Sequence, residues 1–265
     1  MPQDISGYDV GALLYCPANA HHTVAQAVAA ERLPHPFSLA LCLEDTVRAD
    51  ALAAAEQAVE QTLHDLTDAA RQETFYRPLT FVRVRSPEQL ARLGRAYGKY
   101  RPLLTGFILP KFFIETCGAY CAVIRDLQAD GLDYFYMPVF EAPSMLPLHT
   151  RHAALAEVKA QLDALRECIL NIRVGGNDLC HVFGLRRDPG HTIYDLRPVA
   201  DVLTDLLTTF APDYLVAGPV WEYYDGPGWA EGLAQECALD RLNGFVGKTV
   251  IHPKQIPIVN QSLQV

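Results

Sequence analysis

The sequence predicts an α/β chain closed into a (β/α)8 barrel, and three observations carry that prediction. Short runs rich in β-branched and aromatic residues alternate with longer amphipathic ones from end to end, which is the rhythm of successive βα units. Eight short runs can be counted, and eight parallel units in about 250 residues is the arithmetic of a closed barrel rather than an open sheet. Charged residues close many of these runs, and in a parallel barrel the C-terminal strand ends are where side chains do chemistry. No linker or low-complexity stretch interrupts the pattern, so residues 1–265 are expected to form one barrel domain.

In chain order, the first expected strand is the apolar run 12–17, and the second, 37–44, ends in Glu44. A helix is expected over 50–68, a stretch rich in Ala, Glu, Gln and Leu. Strands three and four, 79–85 and 106–111, end in Arg85 and Lys111. Strand five, 134–141, ends at Glu141, and the following helix over 151–166 places Leu155, Val158, Leu162 and Leu165 on one face. Strand six, 169–175, leads through Gly175-Gly176 to Asp178. That glycine pair reads as a tight turn, because the third glycine of a dinucleotide fingerprint is missing. The stretch 185–195 carries Pro189 and Gly190 and is expected to be a long excursion bearing substrate contacts. Strands seven and eight are expected at 214–220 and 248–251.

Composition narrows the class. Half of the residues are hydrophobic and 20% are charged, enough for a substantial core. No run approaches the roughly 18 consecutive apolar residues of a membrane span, and the polar start lacks a signal-peptide layout, so a cytoplasmic protein is expected. A net charge of −9, with Lys and Arg scattered, argues against nucleic acid as a partner. The seven cysteines fall mostly inside apolar runs without zinc-site spacing, and reduced structural thiols are expected.

Glu141 and Asp178 are the leading candidates for chemistry. Each follows an apolar strand-like run, and two carboxylates delivered from successive strand ends suit Mg²⁺, a hard cation that leaves its other positions to water and substrate. The other strand ends contribute Glu44-Asp45, Arg83, Lys111 and His252, forming a polar crown on an apolar barrel.

Several segments resemble one family. Leu41-Cys-Leu-Glu-Asp-Thr-Val47, Phe81-Val-Arg-Val-Arg-Ser86, Gly106-Phe-Ile-Leu-Pro-Lys111, Val139-Phe-Glu141 and Gly175-Gly-Asn-Asp-Leu179 are similar, in order, to motifs of the citrate lyase β-subunit family, the HpcH/HpaI aldolase-like lyases on a TIM barrel. The closing run from Gly244 to Ile256, with its Ile-His-Pro, is the most distinctive match. Ala217-Gly-Pro-Val-Trp-Glu222 and Gly184-Leu-Arg-Arg187 resemble a bacterial branch described as C–C bond lyases of the TIM-barrel fold. The resemblance implies that Glu141 and Asp178 bind Mg²⁺, that Arg83 faces the substrate carbonyl or carboxylate, and that Glu44 and Asp45 lie behind the metal or beside the reacting hydroxyl. The implied reaction is cleavage or formation of a C–C bond in a small β-hydroxy acid or its CoA thioester, by a retro-aldol or retro-Claisen route through a metal-stabilised enolate. Chemistry agrees, because an enolate needs positive charge at its oxygen and a metal with a guanidinium supplies it. Glu44 is the candidate base for the hydroxyl proton.

Three departures point to a changed substrate. Strand one lacks an Arg-Ser start and with it a substrate-contacting arginine, Arg85 stands where Asn is common, and Asn177 replaces a Glu. The chain stops at Val265, so a short or truncated C-terminal segment is expected where many relatives carry an arm over a neighbouring subunit's site. A homo-oligomer, a trimer or its multiple, is the expected assembly.

Substrate contacts are expected from Lys111, from Arg186 in the long excursion, from Trp221 in the aromatic loop after strand seven, and from His252. Lys111 could instead form a Schiff base, which a metal pair makes unnecessary. Arg85 is expected to face the helix layer and to matter little. His149 and His152 lack a carboxylate at metalloprotease spacing, and His21 and His22 read as a helix start. Two other readings stand beside the lyase: a phosphoenolpyruvate-type transferase on the same metal and enolate chemistry, and a non-catalytic barrel subunit that serves as a binding module.

Overall fold

A computed structural model describes residues 5–45, 47–72 and 74–263. Seven strands form one parallel sheet: β1 (Ala12–Pro17), β2 (Ser38–Cys42), β3 (Thr80–Arg83), β4 (Leu104–Leu109), β5 (Phe135–Phe140), β6 (Arg173–Val174) and β7 (Lys248–Val250). Their order is β6-β5-β4-β3-β2-β1-β7, so each strand lies beside its neighbour in sequence except where β7 returns to β1. The expected strand at 214–220 forms no regular ladder. It joins the two sheet edges by single parallel bridges, Ile172 to Val216 and Gly218 to Lys248, and occupies the eighth position of the barrel. At Gly218 a Cβ would meet the carboxylate of Asp240, so this stretch lies against a buried acid.

The helices are α1 (His21–Ala29), α2 (Leu52–Gln72), α3 (Pro87–Ala96), α4 (Cys117–Ala129), α5 (Leu148–Asp163), α6 (Gly176–Val182), α7 (Arg197–Phe210), α8 (Trp229–Asn243) and α9 (Ile256–Leu263). Local chemistry fixes several ends. Ser86 caps α3 by accepting from Gln89 N at 3.3 Å, with Pro87 in the first turn, and α8 stops at Gly244 with a left-handed φ of 95°. None of the described helices is long and apolar enough to cross a membrane.

Two apolar cores follow from strand alternation. Leu13, Ala40, Phe81, Ile108, Met137 and Val139 fill the barrel interior, while residues of opposite parity, among them Leu14, Leu39, Val82, Phe107 and Tyr136, pack outward against the helices. Inward parity continues from Leu13 to Tyr15, from Phe81 to Arg83 and from Val139 to Glu141. The interior is therefore apolar at its base and ionisable at its C-terminal mouth. The predicted apolar face of α5 is in place, with Leu155, Val158 and Leu162 fully buried. None of the seven cysteines is joined in a disulfide, and five are buried.

Candidate active site

Arg83 is the hub of the mouth. Its Nη2 lies 2.7 Å from Glu44 Oε2, 3.0 Å from Glu141 Oε1 and 3.1 Å from Asp45 Oδ2, with its side chain 8% exposed. The guanidinium also lies 5.6 Å from the centroid of the Tyr15 ring. Burial alone would lower its pKa, but Tyr15, Glu141 and Glu44 outweigh that, so the charge is fixed. Lys111, in the left-handed region at φ 49°, places Nζ 2.9 Å from Glu44 Oε1 and donates its backbone N–H to Glu141 Oε1 at 3.1 Å. The hydrogen bond to Glu44 raises the Lys111 pKa. The amine therefore stays protonated, which disfavours a Schiff base.

The two acids at the end of β2 are pushed in opposite directions. Burial, then the hydrogen bond with Asp45, push Glu44 up. For Asp45 burial also acts upward, but the hydrogen bond from Glu44 and the charges of Arg83 and Lys111 hold it below its usual value. Glu141 is 2% exposed, and burial, reinforced by repulsion from Asp178 and Glu44 and opposed by Arg83, pushes it up to about 7. A Cβ on residue 175 would collide with Glu141 Oε2 and Cβ, so glycine lets this turn close over the carboxylate while α6 brings Asp178 in on its first turn. Tyr15, Asp45, Arg83, Glu141, Arg173, Asp178 and Thr249 all line one cavity of about 370 Å³.

The sequence matches the family described as C–C bond lyase of the TIM-barrel fold over residues 4–265. The chain belongs to that family. No curated protein matches it. Among solved structures, a citrate lyase β subunit complexed with oxaloacetate and magnesium from M. tuberculosis is 23% identical, with 98% of this chain and 100% of that one covered and a TM-score of 0.66. CitE from Mycobacterium tuberculosis in complex with magnesium, acetoacetate and coenzyme A is 22% identical, covers 98% and 82%, and has a TM-score of 0.67. RipC from Yersinia pestis is 17% identical, covers 98% and 97%, and has a TM-score of 0.65.

In this member of the C–C bond lyase family, the strand-end acids and Arg83 converge, but none of the four expected substrate contacts lines the cavity: Lys111 turns its amine to Glu44, and the other three lie elsewhere. Trp221 is fully buried, with the Arg187 guanidinium 4.8 Å from its ring centroid, so it packs in the core and has no face open to a ligand. Arg186 is exposed and does not line the cavity, whereas its neighbour Arg187 turns inward to Glu222 at 2.6 Å and Glu236 at 2.7 Å. His252 stacks on Tyr224 with ring centroids 4.6 Å apart and accepts from Lys254 N. Burial, then Lys254, lower its pKa, and the cavity is lined by the preceding Ile251 instead. Arg85 departs from expectation as well. Positions 83 and 85 would share a side of a regular strand, but β3 ends at Arg83, and the Arg85 guanidinium donates to the carbonyls of Leu43 (2.7 Å), Glu44 (3.1 Å) and Val47. It clamps the loop that carries Glu44 and Asp45. His152 pairs with Asp205 on the outer surface, and the side chains of His21 and His22 lie outside the described residues. Sequence reasoning passed over Arg173, Tyr15 and Thr249. The signal for Arg173 was a lone cation at inward parity inside the run Ile169-Leu-Asn-Ile-Arg-Val174, two residues before Gly175.

Proposed function

We propose that this protein is a Mg²⁺-dependent C–C bond lyase acting on a small β-hydroxy acid or its CoA thioester. The observation that carries the reading is the convergence of Glu141, Asp178, Arg83 and Asp45 on one cavity at the barrel mouth. The donor set suits Mg²⁺, which takes one or two carboxylates and completes its shell with water and substrate oxygens. No group of three or more His, Cys, Asp or Glu suited to a metal stands among the described residues, so a zinc-type cage is not the match. Glu141 uses Oε1 for Arg83 and the Lys111 N–H and turns Oε2 toward Gly175. Burial is the main cause of its raised pKa. Bound by Glu141 and Asp178, Mg²⁺ would supply positive charge beside the substrate's carbonyl oxygen.

The chain's own groups account for the remaining needs. Arg83 is immobilised by its carboxylates and lines the cavity, so its fixed guanidinium charge stands beside the oxygen that gains charge as the C–C bond breaks. Glu44, paired with Arg83 and Lys111, stands just behind the cavity lining and Asp45 beside it lines the cavity, so these two acids are the candidate acceptors of the β-hydroxyl proton as the bonding pair passes toward the carbonyl. The solved relatives, recorded with magnesium together with oxaloacetate or with acetoacetate and coenzyme A, support a small keto acid or thioester as the partner. Asp178→Asn and Glu141→Gln are each expected to weaken Mg²⁺ binding at least tenfold, about 1.4 kcal/mol, with the fold intact. Calorimetry showing unchanged Mg²⁺ affinity in both would sink the metal assignment. A screen of β-hydroxy acids and their thioesters for Mg²⁺-dependent release of a keto acid or aldehyde tests the reaction.

A further inference from the structure

Arg173 and Arg83 face the same cavity in opposite electrostatic circumstances. Arg83 is compensated by carboxylates at 2.7, 3.0 and 3.1 Å. Arg173 is 2% exposed, yet none of the described residues forms an ion pair with it. Its partners are neutral: Nη2 donates to Thr249 Oγ1 at 2.7 Å and Nη1 to Asn171 Oδ1 at 3.4 Å, while the buried Nε has no partner among the described residues. An arginine does not shed its proton, so a full positive charge with a spare N–H is held inside a cavity wall. Burial acts to lower its pKa and Arg83 adds repulsion, whereas Tyr15 acts in the other direction. A buried charge without a counter-charge is costly unless something supplies the anion, and Arg173 lines the cavity.

We propose that Arg173, together with the Thr249 hydroxyl and Tyr15, seats a carboxylate of the substrate, and that this makes the barrel select acids with a free anionic group. The inference deepens the lyase reading, resting on the same cavity as the substrate site, but it does not depend on the metal. Arg83 already faces three carboxylates and would attract a further anion only weakly, so it serves an oxygen that gains charge during reaction, and Arg173 serves one charged from the start. The placement also bears on β1, whose inward residue near the mouth is Tyr15 and not an arginine: the cation stands instead on β6, with Thr249 of β7 hydrogen-bonded to it. A carboxylate is the anion whose two oxygens match the planar fork of a guanidinium.

The test uses malonate and its uncharged isostere malonamide as probes, titrated by calorimetry into the full-length protein in EDTA-treated, Mg²⁺-free buffer. Wild type is expected to bind malonate at least tenfold tighter than malonamide, and Arg173→Met to lose that preference while keeping its urea midpoint and its Mg²⁺ affinity. Thr249→Val, which removes a neutral partner and keeps the shape, is expected to weaken malonate binding severalfold and decides the matter if Arg173→Met does not fold. Wild-type protein that does not distinguish the two probes, or an unchanged preference in a folded Arg173→Met or in Thr249→Val, overturns the proposal. Failure of the lyase reading would show instead as absent Mg²⁺ binding or turnover in wild type, with malonate selectivity left standing.

Discussion

Arg83→Lys separates charge from geometry at the centre of the site. Lysine keeps the positive charge but loses the planar fork, so kcat should fall about 10²-fold, roughly 2.7 kcal/mol, with little change in KM. A pure KM effect would remove Arg83 from the chemistry. Arg85→Lys is expected to act on stability instead, because one ammonium cannot hold three carbonyls of the loop bearing Glu44 and Asp45. A loss of about 1–2 kcal/mol by urea denaturation is expected, and a variant as stable as wild type would contradict the clamp. Cys16 lines the cavity, yet burial pushes its thiol up to about 12. At pH 8 iodoacetamide should leave it unmodified in the folded protein and label it once urea exposes it. The acids and Arg83 were legible because an ionisable residue at the end of an apolar run has one place to go in a barrel. Trp221 and Arg186 were not, because sequence does not say which residue of a loop folds back into the core: Trp221 lies beneath Arg187, and the inward arginine is one position later.

At the scale of elements, β7 and α8 are joined by a buried charge network. Lys248 Nζ lies 2.9 Å from Glu236 Oε1 and 2.6 Å from Asp240 Oδ2, and all three are fully buried. Arg187 and Tyr194 reach the same two acids. Lys248→Met should cost about 3–5 kcal/mol by leaving carboxylates buried without their cation. Burial already raises the Asp240 pKa against the pull of Lys248, and deleting the lysine raises it further. Native protein would then bind more protons than unfolded chain, so the variant should recover stability as pH falls from 8 toward 5; no gain on acidification would refute the account. The network was hidden in the sequence, since Glu236 and Asp240 look like surface charges until they are seen to share a helix face with Leu233 and Cys237. The predicted strands overshot for a related reason. Run 37–44 ends as β2 at Cys42 and run 134–141 ends as β5 at Phe140, because the functional acids sit just beyond the ladder, where the chain is free to turn toward the mouth.

The molecule as a whole carries exposed apolar side chains on its outer helices, with Leu148 of α5 at 78% and Leu242 of α8 at 80% exposure. Val182, Phe183, Tyr224 and Ile251 are exposed beyond the strand ends. We propose that some of this surface is covered in a homo-oligomer, a trimer or its multiple, and light scattering should give a mass that is a multiple of 29.3 kDa. A monomer at micromolar concentration would refute it. The barrel wall also has a clasp. From β1 to β5 the strands are stitched by ladders of four or five residue pairs, with one register shift between β3 and β4 at Thr80/Phe81, but between β6 and β7 the ring is held by the few bonds of residues 215–218. In deuterated water the amides of Ile172, Ala217, Gly218 and Val246 should therefore exchange before those of Leu39 and Leu41. Breathing at that clasp loosens the wall beside Arg173 and Thr249 first, so a ligand seated there would slow exchange across the seam more than anywhere else in the barrel.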